Sequence, residues 1–313
     1  MYFIEVNDVV KQYSGHRALD HVSLRVPEGS IYGLLGPNGA GKTSLLRIIN
    51  MITAPDQGEV LIEGRPQTRD DVARIGYLPE ERGLYKKMRV GEHIVYLARL
   101  KGMSRADAND AMLWWLNHLG LADWRKRKVE ELSKGMQQKV QFIATVLHRP
   151  RLLIFDEPFS GFDPVNADQL KQEILRLRDD GATILFSTHN MESVEQICEG
   201  FSLINKAKVV LEGSVDEVKQ RYKKHLYSIQ LGDGATLQPD DALYTIEAVD
   251  RHATTIRLTR GVEFRDVLAA LNSRYRLTGF QELLPSMHDI FVETVAQPTE
   301  PIAEATQPPE NRQ

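Results

Sequence analysis

The residues Gly36-Pro-Asn38-Gly39-Ala40-Gly41-Lys42-Thr43, with Ser44 next, fit the spacing G-x-x-x-x-G-K-[ST], which suits a triphosphate. A triphosphate is densely anionic, so its cradle needs several backbone N–H groups aimed inward. Glycines supply the dihedral freedom and the close approach that this requires. A helix starting there also turns its positive dipole end toward the same anion. Lys42 is placed to reach the β- and γ-phosphates, and Thr43 to set a hydroxyl on Mg²⁺. A second cluster, Leu152-Leu-Ile-Phe-Asp156-Glu157, is an apolar run ending in two acids. Adjacent carboxylates at a strand end are costly unless a cation sits with them. Mg²⁺ held through Asp156, by way of a water, answers that need, and Glu157 is then placed to orient or deprotonate an attacking water. Taken alone, the same acids would equally suit an ordinary exposed strand end. A third cluster, Leu132-Ser133-Lys134-Gly135-Met136-Gln137-Gln138, opens a helical pattern that continues through Val140, Ile143 and Leu147. Serine and glycine at a helix N-terminus make another anion site. The chain therefore carries two phosphate-binding devices where one nucleotide pocket needs only one.

These clusters must be held by regular elements. Tyr2 to Val10 and Ala18 to Val26 alternate apolar and polar residues, as half-buried strands do. Ser30 to Leu35 is a short apolar run ending in the glycine-rich loop, and Thr43 to Met51 has helical spacing. That is the strand, tight loop and helix which a phosphate cradle requires. From about Met88 to Leu147 the pattern is helical, with a capping-box spacing at Ser104-Arg-Ala-Asp107. Leu152 to Phe155 and Thr183 to Ser187 read as strands covered on both faces, with helical pattern between them, which predicts a parallel sheet. Ser214-Val-Asp-Glu217 is a second capping-box spacing. Beyond Tyr222, short strand-like runs (Leu226 to Leu231, Leu243 to Val249, Thr254 to Leu258) surround helical patterns at Phe264 to Leu271 and Met287 to Val295. The tail from 296 to 313 is rich in Pro, Glu and Gln, and its composition predicts disorder.

Composition narrows the function class. The chain has 313 residues, 42% of them hydrophobic, and a net charge of −4. No global basic field exists to hold a nucleic-acid backbone. Its one cysteine, Cys198, excludes a disulfide scaffold and a zinc site of paired thiolates, and points to a reducing compartment. The N-terminus MYFIEVNDVV lacks the basic and apolar segments of a signal peptide. No apolar stretch approaches the roughly 18 residues needed to span a bilayer, so any membrane crossing belongs to another chain.

In their order, these motifs resemble those of ABC-transporter nucleotide-binding domains over roughly residues 1–220. An aromatic, Tyr13, precedes the phosphate loop where the family stacks adenine. Ser133 and Gly135, with Gln137 beyond them, are similar to the family's signature. Lys134 stands where glycine is most familiar, and Met136 where glutamine is. Ser160-Gly-Phe-Asp163-Pro resembles the D-loop, and His189 after the Thr183–Thr188 run resembles the switch histidine. Ile75-Gly-Tyr-Leu-Pro79-Glu80 resembles the Q-loop, with a carboxylate where a neutral amide is usual. That substitution is expected to make Glu80 a Mg²⁺ or water ligand beside Thr43 and Asp156. The stretch Gly76 to Tyr85, together with Leu132 to Gln138, is similar to the bacterial branch that includes sodium-export ATPases, and so is the C-terminal appendage.

The resemblance implies an α/β phosphate-loop NTPase of ABC type: a mixed-sheet core, an antiparallel β subdomain and a helical insertion at about 85–150. The nucleotide-binding domain would span 1–222 and a small α/β accessory domain 223–295. It implies ATP and Mg²⁺ as cofactors, and ATP hydrolysis with Glu157 and His189 as catalytic residues. The signature of one subunit would close over ATP held by another, either a second copy or a homologous ATPase subunit. A separate membrane-spanning permease would be the other partner, placing the chain at the cytoplasmic membrane face, with export favoured by the branch. The rival class is a non-transport ABC ATPase acting on ribosomes or DNA. Those proteins typically carry paired ATPase units or long coiled coils, and this chain has one unit and no heptad array.

Plainer readings compete at several positions. Arg125-Lys-Arg-Lys128 reads as a solvated face rather than a nucleic-acid stripe. Trp114 and Trp115 are adjacent, so a helix would bury one and partly expose the other. Tyr13 is either an adenine platform or strand-end packing. Leu84, Tyr85, Met88 and Val90 are either part of a permease-docking surface or core of the helical insertion. Cys198 reads as a small packed residue rather than a reactive thiol.

Overall fold

Alternation near the N-terminus builds a long antiparallel ribbon of β1 (Tyr2–Tyr13) and β2 (His16–Pro27), closed so that Tyr13 stands opposite His16. The two-residue Ser14-Gly15 link suits that hairpin, and Gly15 takes φ 74°. β4 (Gln57–Ile62) pairs with β1, and β5 (Arg65–Pro66) pairs with β4, completing the antiparallel sheet β2-β1-β4-β5. Between them in the chain lie β3 (Ile31–Leu35) and α1 (Lys42–Ile49). The computed structural model describes residues 1–81, 83–160 and 162–296. Arg82, Gly161 of the D-loop motif, and 297–313 of the expected disordered tail lie outside the described residues. Ala296, the first residue assigned to that tail, still belongs to the last helix.

A second sheet is built from continuous apolar runs. α2 (Asp71–Arg74) leads into β6 (Ile75–Leu78), and β7 (Leu152–Asp156), β8 (Thr183–Thr188), β9 (Gly200–Asn205) and β10 (Lys208–Ser214) follow along the chain. Their order with β3 is β10-β9-β3-β8-β7-β6. All neighbours are parallel except β10 with β9. The expected parallel arrangement of the Leu152 and Thr183 strands is therefore found within a mixed sheet.

The insertion between β6 and β7 holds α3 (Val90–Leu100), α4 (Arg105–His118) and α5 (Lys134–Val146), with short 3-10 turns at Ala122–Trp124 and Val129–Glu131. Ser104 caps α4 as its spacing predicts. Its Oγ accepts the Asp107 N–H at 3.1 Å, and its hydroxyl donates to the Asp107 carboxylate at 2.7 Å. Helices α6 (Pro164–Asp179) and α7 (Met191–Ile197) connect the later strands.

α1 joins both sheets in one core. Its Leu45, Leu46, Ile48 and Ile49 cluster with Ile4, Val6 and Leu24 of the antiparallel sheet and with Leu34, Ile154 and Leu185 of the mixed sheet. Burying each such side chain contributes about 1.5–3 kcal/mol. The helix behind the phosphate loop is thus anchored over its whole length.

The chain divides into the unit Met1–Ser214 and the unit Val215–Ala296. The second unit contains α8 (Val215–Arg221), β11 (Leu226–Leu231), β12 (Tyr244–Val249), β13 (Thr254–Leu258), α9 (Phe264–Arg274), β14 (Leu277–Leu283) and α10 (Met287–Ala296). Its antiparallel sheet runs β12-β13-β11-β14. Val267 and Leu271 of α9 pack on Tyr227, Ile229, Tyr244 and Ile256 of that sheet. The segment just after α8 meets α10 through Tyr222 and Thr294, at 3.3 Å, and Lys224 and Glu293, at 3.0 Å.

Candidate active site

The phosphate loop leaves β3 and enters α1 through backbone positions that only glycine fits. Gly36 has φ 149°, and a Cβ there would lie 2.2 Å from the Ile204 carbonyl oxygen of β9. Gly41 has φ 117°, and its Cβ would lie 2.3 Å from the Ala18 carbonyl oxygen of β2. Both sheets therefore press on the loop, and the glycines make that fit possible. The β9–β10 turn reinforces it, with the Ala207 N–H donating to the Ala40 carbonyl at 3.2 Å.

Lys42 is buried at 6% exposure and curls back over the loop. Its Nζ donates to the Gly36 carbonyl at 2.7 Å and the Pro37 carbonyl at 3.2 Å. Burial pushes the ammonium pKa down, and the charges of Glu157, Asp156 and Glu80 oppose that. These residues share one cleft of about 330 Å³, lined by Tyr13, Asn38, Gly39, Ala40, Gly41, Lys42, Thr43, Ser44, Glu80, Asp156 and Glu157. His16 and Ala18 complete the lining. His16 goes unannounced by any motif. The hairpin turn that places it opposite Tyr13 is the signal that points to it.

β7 and β8 position the two acids. Their parallel register sets Asp156 beside Ser187, whose hydroxyl donates to Asp156 Oδ1 at 2.5 Å in a site closed to solvent. Glu157 turns the corner in the left-handed region, φ 50°, a strained backbone for a non-glycine residue. Its N–H donates to the Ser187 carbonyl at 3.1 Å. Its side chain meets His189, with Oε1 2.8 Å from Nδ1, and accepts the Thr188 hydroxyl on Oε2 at 3.4 Å. The Thr188 hydroxyl oxygen accepts the Asn190 N–H at 3.0 Å, which fixes the turn carrying His189.

The cleft suits Mg²⁺ arriving with a polyphosphate. Its donors are hard oxygens from Thr43, Asp156 and Glu80, and Asp156 is held in orientation by Ser187. Among the described residues no three His, Cys, Asp or Glu side chains form a metal-binding cluster. Few protein ligands, completed by phosphate oxygens and waters, is the habit of Mg²⁺.

The signature residues are not among those that line the cleft. Ser133 is exposed and caps α5, its Oγ accepting the Met136 N–H at 3.3 Å. Gly135 has open space where a Cβ would stand, with nothing within 4 Å. The chain's own packing gives no reason for glycine there. Gln137 turns inward instead. Its amide donates to the Leu132 carbonyl at 3.1 Å and the Val129 carbonyl at 3.3 Å, bracing the loop before the helix. Asp163 caps α6 by accepting the Asn166 N–H at 3.1 Å, and hydrogen bonds from Asn166 lower its carboxyl pKa.

The side readings also find their places. Trp115 is 7% exposed and Trp114 48%, the latter stacked on His118 and covered by Arg176. Arg127 and Lys128 make exposed ion pairs with Glu131 and Glu130. Burial pushes the Cys198 thiol pKa up. Val90 is core, whereas Tyr85 is exposed and meets His93 and Tyr96 edge-on.

Comparison with known proteins agrees with this geometry. The ABC transporter family model matches residues 19–160, and the model of the DrrA1-3-like ATP-binding protein C-terminal domain matches residues 213–295. The ABC transporter ATP-binding protein YhaQ of Bacillus subtilis is 40% identical over 93% of this chain and 98% of its own. The daunorubicin/doxorubicin resistance ATP-binding protein DrrA of Streptomyces peucetius is 30% identical over 78% of this chain and 75% of its own. A solved ATP-binding subunit of an ABC transporter superposes with a TM-score of 0.66 at 29% identity, covering 70% of this chain and 93% of that one.

Proposed function

The chain belongs to the ATP-binding subunits of ABC transporters, and on that premise we propose that it hydrolyses MgATP at a site shared between two protomers to drive a separate membrane-spanning subunit. One observation carries this reading. Tyr13, Lys42, Thr43, Glu80, Asp156 and Glu157 line one cleft, while Ser133 and Gly135 are not part of it and Gly135 faces open space. A second anion site away from the first, on the same chain, is completed when another protomer brings its nucleotide there.

The chemistry follows from the side chains. Asn38 to Ser44 cradle the phosphates through the loop and the α1 N-terminus, and Tyr13 offers a ring to the base. Thr43 and Asp156, with Glu80 close by, would hold Mg²⁺, which would supply neutralisation of phosphate charge. Glu157 accepts a proton from the attacking water, ATP + H₂O giving ADP and phosphate. His189 holds the Glu157 carboxylate through its Nδ1 contact and stands at the edge of the site. Ser133 and Gly135 serve the γ-phosphate of the partner's ATP, and Asp163 lies on the D-loop side of that junction.

No described helix is long and apolar enough to cross a membrane. We place the chain at the cytoplasmic membrane face, bound to a permease. The similarity to DrrA supports export. Nucleotide chemistry is assigned to residues 1–222 and an accessory role to 223–295. Affinity purification of the tagged full chain from detergent-solubilised cells tests the reading. Recovery of a multi-span membrane protein is expected, whereas recovery of ribosomes or DNA instead would overturn it.

A further inference from the structure

α5 carries two glutamines one turn apart that face different loops. Gln138 donates through Nε2 to the Ser160 carbonyl at 2.5 Å, on the segment after Glu157. Gln141 donates through Nε2 to the Pro79 carbonyl at 3.1 Å and the Glu81 carbonyl at 3.4 Å. Those two carbonyls flank Glu80, which lines the nucleotide cleft. Both glutamines are buried, at 9% and 7% exposure, within a helix whose Val140, Phe142, Ile143 and Val146 are also buried. The same helix begins at Ser133, about 12 Å from Gln141 at 1.5 Å per residue. A rod that stiff moves its two ends together.

We propose that Gln141 is a positioning residue: by tying the Pro79–Glu81 backbone to α5, it couples the placement of Glu80 over one nucleotide to the placement of Ser133 and Gly135 for the partner's nucleotide. The coupling rests on the shared-site reading. The Gln141 amide is the donor that makes it, because Pro79 and Glu81 lie beyond the end of β6, where no strand ladder takes up their carbonyls. A side chain of the same size without donors would fill the space and leave the loop unheld. The chain itself shows what could replace the amide. Lys101 is a half-buried ammonium donating to the Val72 and Ile75 carbonyls at 2.7 and 2.9 Å.

The test compares MgATP-driven dimerisation of Glu157→Gln alone with Glu157→Gln/Gln141→Met and Glu157→Gln/Gln141→Lys. The readout is light scattering of the full chain over a protein concentration series. Binding of a fluorescent ATP analogue to the monomer is measured alongside. Loss of two amide–carbonyl bonds is expected to weaken the dimer about tenfold in the Met variant. Monomer binding should stay within about twofold, and the Lys variant should recover to within about threefold of the parent. Gln141→Leu takes the place of the Met variant if that one does not fold. Equal dimerisation of all three proteins, or equal loss in Met and Lys, overturns the proposal. If Glu157→Gln itself stays monomeric, it is the shared site that fails rather than the coupling.

Discussion

Gly135→Ala separates the needs of one protomer from those of two. The position is the second residue of α5, and a Cβ built there meets nothing within 4 Å. Its φ is not positive, so alanine adopts the backbone without strain. Within one chain the substitution should be neutral or favourable, since alanine in a helix is more stable than glycine by roughly 0.5–1 kcal/mol. For a unit of this size that is a rise of about 2–4 °C in Tm at most. The effect on turnover should be opposite. If the partner's γ-phosphate approaches this backbone, a methyl group displaces it from the N–H groups. A charge-assisted hydrogen bond is worth about 1.5–3 kcal/mol, or roughly 10- to 150-fold in rate. Gly36→Ala provides the contrast, because its Cβ would strike the Ile204 carbonyl and damage the loop within its own chain. The assays are thermal unfolding, equilibrium nucleotide binding at low protein concentration, and steady-state ATPase rate. A stable Gly135→Ala protein hydrolysing ATP at the wild-type rate would refute the reasoning.

Glu80→Gln should raise the Mg²⁺ concentration for half-maximal ATPase about two- to fivefold, the worth of one partly solvated charge; indistinguishable Mg²⁺ titrations would remove Glu80 from the metal site. Stability should fall in acid because the His148 pKa is pushed down to about 4, chiefly by burial and then by the Lys101 charge, and burial lowers that of His93 as well. An unfolded histidine titrates near 6.5, so between pH 6.5 and 4 the unfolded chain takes up protons that the folded chain excludes. Stability is therefore complete above pH 6.5 and declines toward pH 4, by about 3 kcal/mol at most from His148. Urea unfolding at pH 7.5, 6 and 5 should show this decline and a shallower one in His148→Gln; superimposable slopes for the two proteins would contradict the assignment.

What could be read from the sequence follows from how locally each feature is encoded. The phosphate loop is written in successive residues, and its strand, turn and helix appear where the pattern sets them. Ser104 caps its helix, and the two tryptophans divide into core and surface, because helical spacing alone decides both. Strands such as Gln57–Ile62 and Leu277–Leu283 pass unannounced, since glycine and exposed polar residues break their alternation. Pairing with β1 and β11, far away in sequence, is what makes them strands. The Ser187–Asp156 bond, the left-handed Glu157 and the loop contacts of Gln138 and Gln141 are likewise products of register between distant segments. Gln137 falls within a motif, but the structure turns it back on the Val129–Leu132 segment. The motifs pointed to the sodium-export branch for the appendage, and the domain model that matches it is the DrrA1-3-like one.

The shared site itself is tested most directly by light scattering of Glu157→Gln and of Glu157→Gln/Ser133→Arg, each with and without MgATP at high protein concentration. Replacing the carboxylate by an amide removes the proton acceptor, a loss of about 10²–10⁴-fold in rate, while leaving the phosphate loop whole. Glu157→Gln should therefore double in mass when MgATP is added and stay so. Adding Ser133→Arg places bulk at the partner's phosphate and should hold the protein monomeric, although Lys42 still binds nucleotide. A Glu157→Gln protein that binds MgATP but stays monomeric, or a double variant that dimerises as readily as the single one, would contradict the account.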